Sequence, residues 1–248
     1  YRDHVGVHPQ KQPGLFSAGV SIARGRITPA EMRAAAALAA GHGSAALRTT
    51  HMQNLVVLDV PRASLAGLRR EAEAAGLALE ASPFRRGTVA CTGSEFCKIA
   101  LTETKGFAAR LVEELEARMP GFDQHLKLHV TGCPNSCGQH WIADIGHEGK
   151  KIRGPGGFED AYYFCVGGGL GARATMARPI GFRVPAREAA GAIERLLRAY
   201  LALREPGATF HEFTAAHTDD ELRALLAGGV VTAVARDLPA AATPHSIE

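Results

Sequence analysis

Four cysteines in two short-spaced sets place the strongest constraint on this chain. Five residues separate the members of the first set and three separate those of the second: Cys91, Cys97, Cys133 and Cys137. Each set is predicted to follow a strand and precede a helix, where unpaired backbone N–H groups and the helix dipole favour anionic thiolates. If the two loops approach each other, they present four sulfurs to one compact centre.

Spacing alone leaves three interpretations of these sulfurs open. Structural zinc commonly uses cysteine pairs with two intervening residues, so a five-residue gap fits it poorly. A cubane iron–sulfur cluster takes four thiolates and accepts looser spacing, and the pattern favours it. The third interpretation is two unrelated pairs of buried thiols. A fifth cysteine, Cys165, lies in an apolar run and is predicted to be a small buried hydrophobe.

Composition excludes several classes of function. The chain has 248 residues, a net charge of +3 and no run of five like charges, which argues against a nucleic-acid partner. No stretch approaches the roughly 18 consecutive apolar residues that a membrane span needs. An odd number of cysteines in a chain of this size favours a reducing compartment, and we therefore expect a cytoplasmic protein.

The order of predicted elements indicates two α/β units. In the first unit, strands are predicted at 15–23 and 55–60. A helix begins at Thr28, where a capping box is predicted, and ends at Gly41, and a second helix covers 63–76. A boundary is predicted at 82–87. The second unit is predicted to contain strands at 126–130 and 161–166, helices at 98–119, 184–204 and 219–228, and a frayed tail at 238–248.

Two longer motifs, ACTGSEFCKIALTETK and HVTGCPNSCGQHWIADIGHEGKK, resemble the cluster motif of the sirohaem-containing nitrite and sulfite reductases. In that family ET follows the first cysteine pair and GCPN frames the second. The resemblance continues through GVHPQKQPGLFSAGVSIARGRI, TTHMQN and YYFCVGGGLG, and so covers nearly the whole chain up to its tail. It implies an α/β (α+β) fold, with a ferredoxin-like half-domain over 1–83 and a mixed α/β sirohaem and iron–sulfur domain over 84–248.

The resemblance also implies roles for individual residues. The four cysteines would ligate a [4Fe-4S] cluster, and Cys137 would in addition bridge one cluster iron to the sirohaem iron. Asn135 is expected beside the macrocycle, with a plain turn residue as the alternative, and Gln53 and Asn54 fit the family pattern for cofactor binding. The glycine run 167–171 either turns its N–H groups toward a sirohaem carboxylate or forms a tight turn. No residue is assigned as catalytic.

The residues that grip the anion are not evident in this chain. Family members are usually about twice this length and built from two related halves, and arginines and lysines of the first half hold the anion. Met52 stands where the first-half copy of TTHMQN would carry an arginine, and no initiating methionine is present. We therefore expect a carboxy-terminal half with a missing amino-terminal half. A compact single-unit sulfite reductase is the other interpretation of the length.

Ser136 before Cys137, followed by IADIG, favours nitrite over sulfite in this family. The resemblance thus implies an assimilatory ferredoxin-dependent nitrite reductase, which reduces nitrite to ammonium with six electrons from ferredoxin. The alternatives are a sulfite reductase of the same family and a non-catalytic iron–sulfur electron-transfer protein. The basic cluster at 150–153 is either a ferredoxin-docking site or a solvated turn, and His140 and His147 are expected to be surface or core residues.

Overall fold

The first sheet is formed by the amino-terminal part of the chain. The computed structural model describes residues 3–229. Four antiparallel strands lie in the order β1-β2-β4-β3. In chain order they are β1 Gly6–Pro9, β2 Leu15–Val20, β3 Leu47–Thr49 and β4 Leu55–Pro61. Both predicted strands of this unit are present, but the first ends at Val20, after which Ser21 makes only an isolated bridge to Ala78.

Two helices pack against this sheet: α1 Pro29–His42 and α2 Leu65–Ala74. The start of α1 is as predicted, because Thr28 Oγ1 accepts the Glu31 N–H at 3.2 Å and the Glu31 carboxylate accepts the Thr28 N–H at 2.7 Å. The helix ends at His42, one residue beyond the predicted end at Gly41. The core between helices and sheet consists of small and branched apolar residues, among them Ala18, Val20, Ala35, Leu38, Val57, Val60, Leu68 and Ala72.

The second sheet contains five strands in the order β5-β6-β7-β8-β9. They are β5 Thr88–Ala90, β6 Leu128–Thr131, β7 Ile145–Gly154, β8 Gly157–Val166 and β9 Arg178–Pro185. The first three run parallel, whereas β7, β8 and β9 pair antiparallel. The predicted strands at 126–130 and 161–166 correspond to β6 and to the second half of β8. The sequence did not predict β7 or β9.

Five helices accompany this sheet: α3 Pro83–Gly87, α4 Lys105–Arg118, α5 Ala189–Leu203, α6 Phe210–Ala215 and α7 Asp219–Ala227. Buried residues of α4, α5 and α7 share one core with the sheet, including Phe107, Leu111, Leu115, Leu128, Ile145, Phe164, Ile193, Leu196 and Leu222. The predicted boundary segment at 82–87 is largely the short helix α3, between the two sheets. The division at residues 83 and 84 stays a prediction.

The helix predicted to begin at Lys98 in fact begins at Lys105. The apolar residues between these positions follow a helical spacing, but their backbone is used elsewhere: the Leu101 N–H donates to the Gly132 carbonyl oxygen at 2.7 Å. The Glu103 carboxylate then accepts the first N–H groups of α4 at 2.6 and 2.8 Å. Tertiary hydrogen bonds therefore override the periodicity.

No helix among residues 3–229 is long and apolar enough to cross a membrane. The frayed tail predicted at 238–248 lies outside the described residues.

Candidate metal centre

The two cysteine loops meet at one edge of the parallel part of the second sheet. Cys91 directly follows β5, and Cys133 lies two residues after the end of β6. Because these strands are parallel, with Ala90 opposite Val130, their carboxyl ends lie side by side. The Cys91 N–H donates to the Val130 carbonyl oxygen at 3.0 Å. The Gly132 N–H donates to the Cys91 Sγ at 3.2 Å.

Cys97 lies in a turn that is bonded to the second loop. Its N–H donates to the Gly93 carbonyl oxygen at 2.9 Å, and its own carbonyl oxygen accepts the Ala100 N–H at 3.2 Å. The next residue, Leu101, makes the hydrogen bond to Gly132 described above. Backbone hydrogen bonds thus hold the Cys97 turn against the segment that leads into Cys133.

A close backbone approach fixes the loop that contains Cys133 and Cys137. Cys133 is buried and Cys137 is exposed. A Cβ at Gly138 would lie 2.2 Å from the Val130 carbonyl oxygen and 3.4 Å from the Cys91 backbone nitrogen. Since real Cβ atoms do not approach a carbonyl oxygen so closely, only glycine at this position lets the second cysteine loop lie against the ends of β5 and β6.

The donor set fits an iron–sulfur cluster. Among residues 3–229, no three Cys, His, Asp or Glu side chains come close enough together to hold a single metal ion. Four thiols on two adjacent loops are the ligand set that a cubane takes. The cysteines are free thiols, and a backbone N–H already points at one sulfur, an interaction that tunes cluster potentials. The assignment of the four cysteines as ligands stays a prediction.

Gln53 connects the first unit to the metal centre. Its Nε2 donates to the Ala90 carbonyl oxygen at 2.9 Å, and its Oε1 accepts the Ala90 N–H at 3.3 Å. Lys105 Nζ donates to the same Oε1 at 3.3 Å and to the Arg24 carbonyl oxygen. Burial lowers the pKa of Lys105, and the nearby Cys91 thiol acts in the opposite direction. The Gln53 amide, predicted to bind a cofactor, is therefore engaged beside Cys91 in joining the two units.

The other predicted cofactor residues lie in different surroundings. The Asn54 side chain is buried, and its Oδ1 accepts the Ile22 N–H at 2.8 Å within the first unit. Asn135 is exposed on the loop between the last two cysteines. Met52 is only 2% exposed, so this position points an apolar side chain into the interior and presents no group to an anion.

The glycine run after β8 is not the predicted tight turn, because its amides bond to backbone outside the run. The N–H groups of Gly167, Gly168 and Gly169 donate to three backbone carbonyl oxygens at 2.8 to 3.0 Å. These amides are therefore not available to a sirohaem carboxylate. Cys165, just before the run, is buried as predicted, and burial raises the pKa of its thiol to about 12. A thiol that holds its proton so firmly is a poor metal ligand.

The basic cluster does not lie in a turn, as the sequence suggested, but in β7. Lys150 Nζ lies 2.6 Å from the Glu148 carboxylate, Lys151 pairs with Asp160, and the Arg153 guanidinium lies over the Phe158 ring. Acidic or aromatic neighbours thus already contact all three cations.

Sequence reasoning missed two residues that support the first cysteine loop. Thr104 Oγ1 donates to the Cys91 carbonyl oxygen at 2.6 Å, and Lys105 makes the contacts already described. Both belong to the ETK segment of the first motif. The resemblance therefore contained the signal, although only the three-dimensional contacts show what these side chains do.

A mixed α/β fold with thiol-bearing loops at the ends of two adjacent parallel strands fits the iron–sulfur proteins as a class. The chain belongs to the nitrite and sulfite reductase family. Residues 8–75 match the nitrite/sulfite reductase ferredoxin-like half domain, and residues 81–212 match the nitrite and sulphite reductase 4Fe-4S domain. The family's cofactors are a [4Fe-4S] cluster and sirohaem. These matches confirm the predicted family and fold class.

Relatives bear the names of both branches. The chain is 42% identical over 220 residues to the assimilatory ferredoxin-dependent nitrite reductase of Haloferax mediterranei, covering 88% of this chain and 37% of that protein. It is 38% identical over 227 residues to sulfite reductase [ferredoxin] 1 of Mycolicibacterium paratuberculosis, covering 89% of this chain and 41% of that protein. The chain thus spans about two fifths of the length of these relatives.

Solved structures show the same architecture. The Mycobacterium tuberculosis NirA protein superposes with a TM-score of 0.83 at 37% identity, over 90% of this chain and 42% of that one. Dissimilatory sulfite reductase I superposes with a TM-score of 0.67 at 12% identity, over 94% of this chain and 73% of that one. This likeness shows the fold alone.

Proposed function

We propose that this chain holds the [4Fe-4S] cluster and part of the sirohaem pocket of an assimilatory ferredoxin-dependent nitrite reductase. Such an enzyme reduces nitrite to ammonium with six electrons, which a ferredoxin supplies. The observation that carries the proposal is the meeting of the two cysteine loops, where the Gly132 N–H reaches the Cys91 sulfur. The relative named as a ferredoxin-dependent nitrite reductase, 42% identical, supports the substrate and the donor.

The proposed cluster ligands are Cys91, Cys97, Cys133 and Cys137. The exposure of Cys137 supports a second role, since a thiolate at the surface of this chain is accessible to another cofactor. When bound, sirohaem would supply the iron that takes the anion, and Cys137 would hold it beside the cluster. Asn135, exposed on the same loop, is proposed to lie beside the macrocycle. For Gln53 and Asn54 we propose an indirect role, in placing the first unit against β5.

The groups that hold the anion are proposed to come from a further half of the protein. Anionic substrates need positive charges where negative charge accumulates during reduction. Met52 is buried and apolar, so the loop that contains it supplies no such charge. The proposed location is the cytoplasm, which the odd number of cysteines in a chain of this size supports.

Sulfite reduction is the second candidate, and a relative of that name at 38% identity favours it. Reduction of sulfite uses the same cofactors, so the difference lies in which anion is held. The serine between the last two cysteines supports nitrite. Ammonium and sulfide are distinct products, and an assay of both separates the candidates.

The test begins with the chain produced anaerobically together with the enzymes of sirohaem synthesis. Iron and acid-labile sulfide are quantified, absorption spectra are recorded, and each proposed ligand is replaced by serine, with Cys165→Ser as the matched control. Loss of iron in all four variants, but not in the control, is expected. Zinc without iron would refute the proposal, and a cluster without any sirohaem band would favour the electron-transfer alternative. Turnover is then measured with reduced ferredoxin on the longest reading frame that contains the chain.

A further inference from the structure

The loop that contains Cys137 turns on two residues with left-handed backbone conformation. Ser136 and Gln139 both have φ of 57°, and they flank Cys137 and Gly138. Residues other than glycine adopt this conformation rarely, because the Cβ crowds the neighbouring backbone. Something in the surroundings must therefore hold both residues in place, or the loop would relax and move Cys137.

A buried histidine contacts each of these two residues. Ser136 Oγ lies 2.8 Å from His140 Nδ1, and the Gln139 carbonyl oxygen lies 3.0 Å from His129 Nδ1. His129, on β6, is 2% exposed and His140 is fully buried. The two rings thus contact the loop on either side of Cys137, from the interior of the protein.

The partners of the two rings set opposite tautomers. A carbonyl oxygen only accepts, so Nδ1 of His129 must carry the hydrogen that is donated to Gln139. For His140, the Glu148 Oε2 lies 3.4 Å from Nε2, and Lys150 Nζ lies 2.6 Å from the other carboxylate oxygen. The carboxylate makes no hydrogen bond to the ring, but its negative charge favours the hydrogen on the nitrogen that faces it, Nε2, which leaves Nδ1 to accept the Ser136 hydroxyl.

We propose that His129 and His140 are positioning residues for Cys137, which they hold by fixing Gln139 and Ser136 in the left-handed conformation, with Glu148 orienting His140. This inference rests on the proposed function only where it takes Cys137 as a cluster ligand. An apolar side chain would fill the same interior space. If these rings only filled space, they would not need hydrogen bonds to the loop, yet both make one.

A matched pair of substitutions at His140 separates the two contacts. The amide of asparagine takes the place of Nδ1, so His140→Asn keeps a partner for Ser136, whereas the amide of glutamine takes the place of Nε2, so His140→Gln keeps only the Glu148 side. The first readout is hydrogen exchange of the Gln139 amide, which donates to the Ser136 carbonyl oxygen at 2.7 Å, in the full chain. The second is the rate of iron loss to a chelator.

His140→Gln is expected to accelerate amide exchange and iron loss by about tenfold, because a residue held in a strained backbone conformation costs an energy of that order. His140→Asn is expected to stay near the parent in both rates. Glycine adopts the left-handed conformation without steric cost, so in a Ser136→Gly background His140→Gln should have no further effect. Equal behaviour of the Asn and Gln variants, or an undiminished effect in the glycine background, would overturn the proposal.

The test remains decisive if a variant does not fold or if the chain binds no iron. If His140→Gln does not fold, Ser136→Ala and Ser136→Gly replace it, because alanine keeps the strain without the hydroxyl and should exchange faster than glycine. If the chain binds no iron, the proposed function fails, while the amide-exchange comparison still decides the positioning role. Normal iron content with unchanged amide exchange in every variant would refute the positioning role alone.

Discussion

Two buried histidines of the second sheet should make this protein sensitive to acid. His129 and His147 are at most 2% exposed, and burial lowers their pKa values to about 4 and about 3. The His147 ring is surrounded by three aromatic rings, Phe107, Tyr162 and Phe164, with the closest centroid at 4.8 Å. Both histidines are therefore neutral in the folded protein at neutral pH.

The sign of the effect follows from proton binding. An unfolded histidine takes up a proton near pH 6.5, whereas the folded ones do so only near pH 4 and pH 3. Between these limits the unfolded state binds more protons, so the free energy of unfolding falls as the pH falls. From pH 7 to pH 5 each histidine removes about 2 kcal/mol, about 4 kcal/mol together, against a typical total of about 5–15 kcal/mol.

Replacing His147 by leucine, which is apolar and of similar volume, should remove the part of this dependence that His147 contributes. Urea unfolding of the metal-free, reduced protein at both pH values, followed by circular dichroism, gives the two free energies. Between pH 7 and pH 5 the His147→Leu variant should lose about 2 kcal/mol less than the parent. The exposed His125 provides a control, since His125→Gln should lose as much as the parent. A His147→Leu variant that loses as much as the parent would refute the reasoning.

Three further predictions concern the metal centre. Serine at any one of the four proposed cluster ligands should abolish bound iron as measured by elemental analysis, whereas Cys165→Ser should keep it. Gly138→Ala should destabilise the protein by about 2 kcal/mol or more and release iron, because its Cβ would meet a carbonyl oxygen at 2.2 Å, whereas Gly121→Ala, in open space, should be tolerated in urea unfolding. Lys105→Met removes a half-buried cation near a proposed ligand, so the reduced cluster should be less stable by about 1 kcal/mol. In a redox titration the cluster potential should therefore become more negative by tens of millivolts, at about 43 mV per kcal/mol for one electron. Lys98 is exposed, so Lys98→Met should change the potential less.

Local signals in the sequence predicted local structure well. The capping box at Thr28 and Glu31 depends on residues three apart, and the helix begins where it was expected. The start of α4 was placed too early, because Ile99 and Leu101 follow a helical apolar spacing although both are exposed. The hydrogen bond from the Leu101 N–H to the Gly132 carbonyl oxygen keeps this segment out of the helix. It joins residues that are distant in the sequence, so no local pattern could predict it.

The candidate site was predicted from motifs rather than from geometry. The resemblance named the cysteines, but the amide of Gln53 turned out to bond the backbone of Ala90, 37 residues away. Lys150 looked like part of a solvated basic turn because β7 is rich in charge and glycine. Its strand conformation comes from pairing with β8 over ten residues, which is a tertiary property.

The chemistry of this chain is concentrated on the parallel strands, and their register sets the position of the sulfurs. In β6, His129 lies opposite Gly146 and Val130 opposite His147 on β7, while Val130 also lies opposite Ala90 on β5. A slip of β6 by one residue would turn every side chain to the other face of the sheet. His129 would then lose the carbonyl oxygen that it binds beside Cys137, and the end of β6 would no longer meet that of β5. The geometry of the cysteine loops therefore depends on the packing of β5, β6 and β7, which is why buried histidines behind the loops affect both stability and the metal centre.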